Sequence, residues 1–227
     1  MTSDPFSDAR IVDAWTRNAS PWTAAIRENR ITSRTLATNQ AIVDAVLSRS
    51  PRMVLDIGCG EGWLVRALAE RGVHAIGLDV APGLIEQARH AGGGDFRVAS
   101  YEQIATGELD PGRVDVAVAN FSLIGKESVD AVVQRVPRLL NPGGSLVIQT
   151  VHTLVACGDA PYVDGWREGF WPTSSEEFSD PAPWYFRTIE SWVRLIVASG
   201  FRLIEMRAPL HPSTQKPASV IFIAEPR

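Results

Sequence analysis

A chain of 227 residues with 45% apolar side chains can bury a full core, and its length suits a single α/β domain. Charged residues make up 21% and the net charge is −4, which argues against a general nucleic-acid binder, because phosphate contacts need a concentrated basic face. Cys59 and Cys157 stand far apart in no CxxC or Cys/His pattern, which suggests neither a disulfide framework nor a metal site and fits a cytoplasmic protein. The start, MTSDPFSDAR, lacks the apolar run of a signal peptide, and no stretch approaches the roughly 18 apolar residues of a membrane span.

In chain order, residues 1–50 read as helices, with Ile42, Val46 and Leu47 on one face. Short apolar runs then alternate with amphipathic stretches. Strands are expected at Met53–Ile57, Ala75–Leu78, Phe96–Val98, Val114–Ala119 and Ser145–Val151. Between the first two, Leu64, Ala67 and Leu68 share a helical face and Gly72 supplies the stop; after Asp79, Pro82 opens a helix carrying Leu84, Ile85 and Ala88. Val129, Val132, Val133 and Val136 repeat the helical spacing, Pro137 should end or kink that helix, and NPGG should turn the chain. Residues 152–187 form a long connection rich in proline and aromatics. Ile189, Trp192, Val193, Ile196 and Val197 mark an amphipathic helix stopping at Gly200. The last runs, Phe201–Met206 and Ser219–Ala224, have no helix between them and should pair antiparallel. The expected fold is α/β: a Rossmann-like, doubly wound sheet, mostly parallel with an antiparallel C-terminal hairpin strand. Residues 1–50 would be an N-terminal helical cap and 51–227 one domain.

VLDIGCGEG, Val54 to Gly62, carries a strand into a turn almost without side chains. Such a loop is a ligand cradle in outline. The GxxxxGK[ST] phosphate loop is absent, and GxGxxG is not met, since the glycines are Gly58, Gly60 and Gly62. Asp56, just before the loop, would repel a pyrophosphate.

The pattern acid-x-Gly-x-Gly-x-Gly resembles the class I S-adenosylmethionine-dependent methyltransferases, and the downstream order strengthens the resemblance: Asp79 in AIGLDVAP, VDVAVANFSL for the fourth strand, LLNPGGSLVI for the turn into the fifth, and RTIESWVRLIVASGFRLIEM for the last helix and sixth strand. It covers about residues 50–227. It implies S-adenosylmethionine as cofactor, S-adenosylhomocysteine as product, and a binding set of Asp56, Gly58, Cys59, Gly60, Asp79, Val80, Ser100, Tyr101, Asn120 and Phe121. Asp56 would hold the ammonium group and Asp79 the ribose hydroxyls. Many relatives have an aspartate after the third strand for the adenine amino group; here that place is Ser100, followed by Tyr101, whose ring could stack.

His152 follows LVIQTV, so it should emerge at the carboxyl end of the fifth strand, where an imidazole can accept a proton or merely order a lid. Cys59 reads as a small loop residue, Asp115 as a strand-start partner, and Trp63 and Trp192 as packing. The segment 160–187 holds eight of the eighteen aromatics, among them Trp166, Trp171 and Tyr185. It is either a self-packed satellite core or a lid over an apolar acceptor, with Trp15 and Trp22 closing from the other side. Trp166, Tyr185 and Arg187 join those two as candidate acceptor contacts. Six acids of the connection (Asp159, Asp164, Glu168, Glu176, Glu177, Asp180) would form an acidic mouth, hostile to nucleic acid and tolerant of an amine. The leading expectation is methyl transfer to a small-molecule oxygen or nitrogen nucleophile, with no metal. Methylation of a macromolecule has no Asn/Asp-Pro-Pro-Tyr/Phe motif or basic appendage in its favour; a non-catalytic nucleotide-binding protein is the other alternative.

Overall fold

Val54 and Leu55 in the first strand are neighbours in sequence, yet each is fully buried in a different core, one on either side of a sheet. That two-sided burial explains why the strands read as continuous apolar runs. The computed structural model describes residues 4–171 and 177–227. Five strands run parallel: β1 (Met53–Ile57), β2 (His74–Asp79), β3 (Asp95–Val98), β4 (Val114–Asn120) and β5 (Leu140–Val151). A further short pair comprises β6 (Gly165–Arg167) and β7 (Trp184–Phe186), and the chain ends in β8 (Phe201–Arg207) and β9 (Ser219–Pro226). The main sheet has the order β3-β2-β1-β4-β5-β9-β8, with β9 antiparallel to both neighbours.

The helices are α1 (Asp8–Arg17), α2 (Ala19–Arg27), α3 (Asn39–Leu47), α4 (Trp63–Ala69), α5 (Pro82–Ala91), α6 (Tyr101–Thr106), α7 (Glu127–Arg135), α8 (Thr153–Cys157) and α9 (Ile189–Ala198). Ile42 and Val46 of α3 with Leu64 and Leu68 of α4 cover one sheet face; Val129 and Val132 of α7 with Trp192 and Ile196 of α9 cover the other. Trp192 is a core residue, tilted against Phe222 at 6.2 Å.

The expected elements are present, with three differences. NPGG does not turn the chain: β5 begins at Leu140, and the pairing with β4 jumps from Val114–Leu140 to Val116–Ser145, so 141–144 bulge within the strand. Helix α6 has only Ile104 fully buried; its signal is a capping box, in which the Ser100 hydroxyl accepts the Gln103 N–H and the Gln103 side chain accepts that of Ser100. A π-helical turn at Arg34–Thr38 precedes α3. Asp115 sits at the start of β4 and accepts from the main chain of Arg52 and Met53 and from Asn141, which hold its pKa down.

The long connection is partly its own small core. Trp166 and Tyr185 are a cross-strand edge-to-face pair in the β6–β7 ribbon, and Arg167 lies 3.9 Å over the Phe186 ring. Arg187 is buried. It donates to the carbonyls of Gly125 and Lys126, pairs with Asp130 at 2.8 Å, and faces the Tyr185 and Trp192 rings. These bonds fasten the connection to the start of α7. Replacing Arg187 by Ala strands buried carbonyls, and stability should fall by about 2–4 kcal/mol. Chemical unfolding checks this; an unshifted midpoint would remove the anchoring role.

Candidate functional site

A cavity of about 530 Å³ opens at the carboxyl ends of β1, β2 and β4, where the strand order reverses between β1 and β4. All ten residues expected to hold a cofactor line it: Asp56, Gly58, Cys59, Gly60, Asp79, Val80, Ser100, Tyr101, Asn120 and Phe121.

The glycine loop folds back on the end of β2. The N–H groups of Gly58 and Cys59 both reach the Leu78 carbonyl, and that of Gly60 reaches the Asp79 carboxylate at 2.9 Å. Asp79 also accepts the Ala81 N–H, so main-chain donors orient both its oxygens, while burial raises its pKa. The glycines differ in purpose. Gly60, at φ +57°, leaves open space up to the Trp22 indole nitrogen at 3.7 Å, so main chain faces the cavity. Gly58 is bare for another reason: a Cβ there would overlap the Ser122 side chain, whose hydroxyl donates to the Ile57 carbonyl.

Asp56 is the penultimate residue of β1 and is buried like its neighbours Leu55 and Ile57. Its Oδ1 has no partner, and burial, with Asp79 adding to it, raises its pKa to about 8 against the opposing pull of Arg34. Arg34, from the π-helical turn, is 8% exposed, has an unpartnered Nη2, and sits 5.0 Å and 5.9 Å over the rings of Trp63 and Trp22. Burial lowers its pKa to about 10, countered by Glu61 and Asp56. The Glu61 side chain has no exposure; Arg66 and Arg27 pair with one oxygen, and the other has no partner. Arg34 and Glu61 carry no periodic signature. Glu61 lies inside the quoted loop, but Arg34 is known only through the fold. Trp63 is not mere packing: it lines the cavity and underlies Arg34.

At the β4 end, Asn120 lines the cavity with its Oδ1 unpartnered. Phe121 adopts the left-handed region, φ +56°, while its N–H reaches the Gln149 carbonyl. Tyr101 donates to the Ser122 carbonyl, and burial raises its pKa, as it does that of the Cys59 thiol. The Ser100 hydroxyl lines the cavity, although it also caps α6.

The roof comes from the N-terminal helices and the long connection. Trp15 meets Trp22 at 4.8 Å and Trp171 at 5.3 Å, both edge-on, and Phe170 joins the wall. Asn18 exchanges two hydrogen bonds with Ser179, Arg17 pairs with Asp180, and Arg30 with Glu177. Asp8 accepts the N–H groups of Lys126 and Ser128, which ties α1 to α7.

Of the expected acceptor contacts, the structure brings Trp15 and Trp22 to the cavity and leaves Trp166, Tyr185 and Arg187 outside its lining. His152 is also outside, although its neighbour Val151 is inside; it begins α8, its Nδ1 is buried without a partner, and burial lowers its pKa. The acids differ as well: the described cavity lining takes Asp8, Asp56, Glu61, Asp79 and Glu102, while Asp164, Glu177 and Asp180 bond elsewhere. Glu176 lies outside the described residues. Among those residues no cluster of His, Cys, Asp or Glu is placed to hold a metal ion, and no helix is long and apolar enough to cross a membrane.

Residues 54–144 match the family model described as a methyltransferase domain. A ubiquinone biosynthesis O-methyltransferase of Xylella fastidiosa is 34% identical over 128 residues, 53% of this chain and 51% of that protein, so the chain spans about half of that relative's length. An uncharacterized methyltransferase of Mycobacterium bovis is 27% identical over 191 residues, covering 75% of this chain and 94% of its own. Among solved structures, an S-adenosylmethionine-dependent methyltransferase of Mesorhizobium loti superposes with a TM-score of 0.61 at 22% identity, covering 80% and 95% of the two chains. A glycopeptide N-methyltransferase complexed with S-adenosylmethionine gives 0.64 at 16% identity, covering 82% and 86%.

The buried carboxyl of Asp56 makes a test of its own. Its folded pKa, about 8, lies above the ordinary 3.8, so the folded chain keeps a proton that the unfolded chain releases. The resulting stability is complete below about pH 3.8 and is lost as pH rises towards 8, and Asp79 acts in the same direction. Melting of the ligand-free protein should therefore decline across that window. Asp56→Asn should flatten the decline; an equally steep profile would refute the assignment.

Proposed function

We propose that this chain, which resembles the class I S-adenosylmethionine-dependent methyltransferases and whose residues 54–144 match a methyltransferase domain, transfers the methyl group of that cofactor to a small molecule held in the same cavity. One observation carries the reading. Arg34 Nη2, Asp56 Oδ1 and Glu61 Oε1 are buried without a hydrogen-bond partner, and all three residues line the cavity. An α-amino acid group answers such a trio, its carboxylate taking the guanidinium and its ammonium an acid. The methionine part of the cofactor is such a group.

When bound, S-adenosylmethionine supplies an electrophilic sulfonium methyl. Asp79, its two oxygens already aimed by backbone donors, keeps lone pairs for ribose hydroxyls. Ser100, Tyr101 and Glu102 face the cavity together and would enclose the adenine. Trp15, Trp22, Phe170 and Trp171 would hold the acceptor and exclude water, so that alignment supplies much of the rate. A small acceptor is favoured by the enclosed volume, within the about 300–1,000 Å³ of small-ligand sites, and by the named quinone-biosynthetic relative. Residues 1–50 and about 152–187 would then act as cap and lid on the domain 51–227. His152 keeps a base role only for a hydroxyl acceptor that reaches past Val151.

Titration calorimetry with S-adenosylmethionine, S-adenosylhomocysteine and NAD tests the reading, and binding of NAD alone would overturn it. Asp79→Ala should weaken S-adenosylmethionine by about 1–3 kcal/mol, the size of hydrogen bonds involving a charged group; an unchanged affinity in the folded variant would remove the ribose role. The lid has its own check. Hydrogen exchange in residues 160–171 and 177–187 should slow when S-adenosylhomocysteine is added, whereas equal protection in both states would make this a static satellite core.

A further inference from the structure

We infer that the methyl acceptor is an amine on an apolar or aromatic body, methylated on nitrogen, and that Asn120 receives one of its N–H groups. The inference rests on the methyltransferase reading and narrows it.

Charge is the first ground. The described lining of the cavity holds five carboxyl groups, those of Asp8, Asp56, Glu61, Asp79 and Glu102, against a single cation, Arg34. Burial keeps the proton on Asp56 in the ligand-free protein, and Glu61 is paired with Arg27 and Arg66. Arg34 is bracketed by Trp63 and Trp22 and lies in the field of Asp56 and Glu61, at the end of the cavity assigned to the amino-acid group. No cation remains for a carboxylate or phosphate on the acceptor. An amine meets acids and, among the described residues, no competing free cation instead, past aromatic walls: Trp15 stands edge-on to both Trp22 and Trp171, at 87° and 90°. Indole faces attract a cationic or partly positive nitrogen within about 6 Å of the ring centroid.

Proton chemistry is the second ground. A hydroxyl acceptor needs a base, and no imidazole lines the cavity among the described residues. The Tyr101 hydroxyl is committed to the Ser122 carbonyl, and Cys59 is a buried thiol; burial raises the pKa of each, so both keep their protons. Both oxygens of Asp8 and of Asp79 hold main-chain donors, Asp56 and Glu61 belong to the end assigned to the cofactor's amino-acid group, and Glu102 to the end assigned to adenine. An amine needs no base within the cavity: its ammonium form gives a proton to water on docking, and the neutral form reacts. Its lone pair forms the N–CH₃ bond as the C–S bond of the sulfonium donor breaks with its electron pair moving to sulfur. The nitrogen then releases a proton to water.

Asn120 is the third ground. It lies at the carboxyl end of β4 on the cavity wall, and its Oδ1 is a buried acceptor with no partner. Such an orphan costs stability unless something else satisfies it. The next residue, Phe121, lines the same wall from a left-handed backbone that a bulky residue adopts only under constraint. An N–H aimed at that carbonyl would leave the nitrogen lone pair free to point elsewhere.

The test is titration calorimetry on the protein saturated with S-adenosylhomocysteine. The probes are benzylamine, 2-phenylethylamine and tryptamine, each beside its alcohol and carboxylate analogues. At least one amine should bind tenfold or more tightly than both its analogues. Asn120→Ala should erase that preference, and Asn120→Asp, which keeps an acceptor oxygen, should retain it. A preference for alcohol or carboxylate, no binding of any amine, or an Ala variant with the preference intact would each overturn the inference. Failure of the wild-type protein to bind S-adenosylhomocysteine sinks the methyltransferase reading instead. The same first titration on each variant shows whether its site is still formed.

Discussion

A carboxyl group at the end of a strand buried on both faces is the constraint around which the rest is arranged. Asp56 is held there by β1, where it pairs in register with Gly77 of β2 and Val118 of β4, and it cannot turn to solvent. Removing a charge from water without a partner costs several kcal/mol, so the group keeps a proton or waits for a cation. The elements around it answer that demand. The glycine loop brings main-chain donors to the neighbouring Asp79, the π-helical turn brings Arg34 within its field, and the tryptophans shut out water that would weaken both.

The sheet and its helices were legible because their residues repeat at the periods of strand and helix. Val129, Val132 and Val133 are buried as their spacing implies, and Met53–Ile57 is a strand end to end. The residues expected to hold a cofactor do share one cavity, since acid and glycine positions are local in sequence. What was hidden depends on distance along the chain. Arg34 reaches Asp56 through the packing of the N-terminal helices, and nothing around it in the sequence points inward. Arg187 looked available to a ligand, but its partners are carbonyls about sixty residues upstream. Aromatic content alone could not tell which rings face the cavity: Trp171 does, whereas Trp166 packs on Tyr185.

The division of labour follows from this. Under the proposed function, residues local to β1 and β2 would fix the cofactor, since they lie on one sheet edge and their geometry is set by register. Selectivity for the acceptor would fall to pieces from elsewhere: the first helix, the end of β4 and the long connection. Those pieces are joined by a few side-chain bonds and need not move with the sheet, which is how one scaffold accommodates many acceptors.

The bonds that hold the roof differ in kind, and this has a consequence for traffic through it. Arg17–Asp180 and Arg30–Glu177 are solvent-facing ion pairs, whereas the two Asn18–Ser179 hydrogen bonds are partly buried and one side of each is neutral amide. Counter-ions weaken the first kind over a Debye length of about 8 Å at physiological ionic strength and leave the second almost untouched. At high ionic strength the roof would therefore lean on its Asn18 hydrogen bonds and on the Trp15–Trp171 ring contact. Ligand exchange would quicken while the bound pose stayed the same, so salt sets the pace of entry and exit independently of how firmly the site grips.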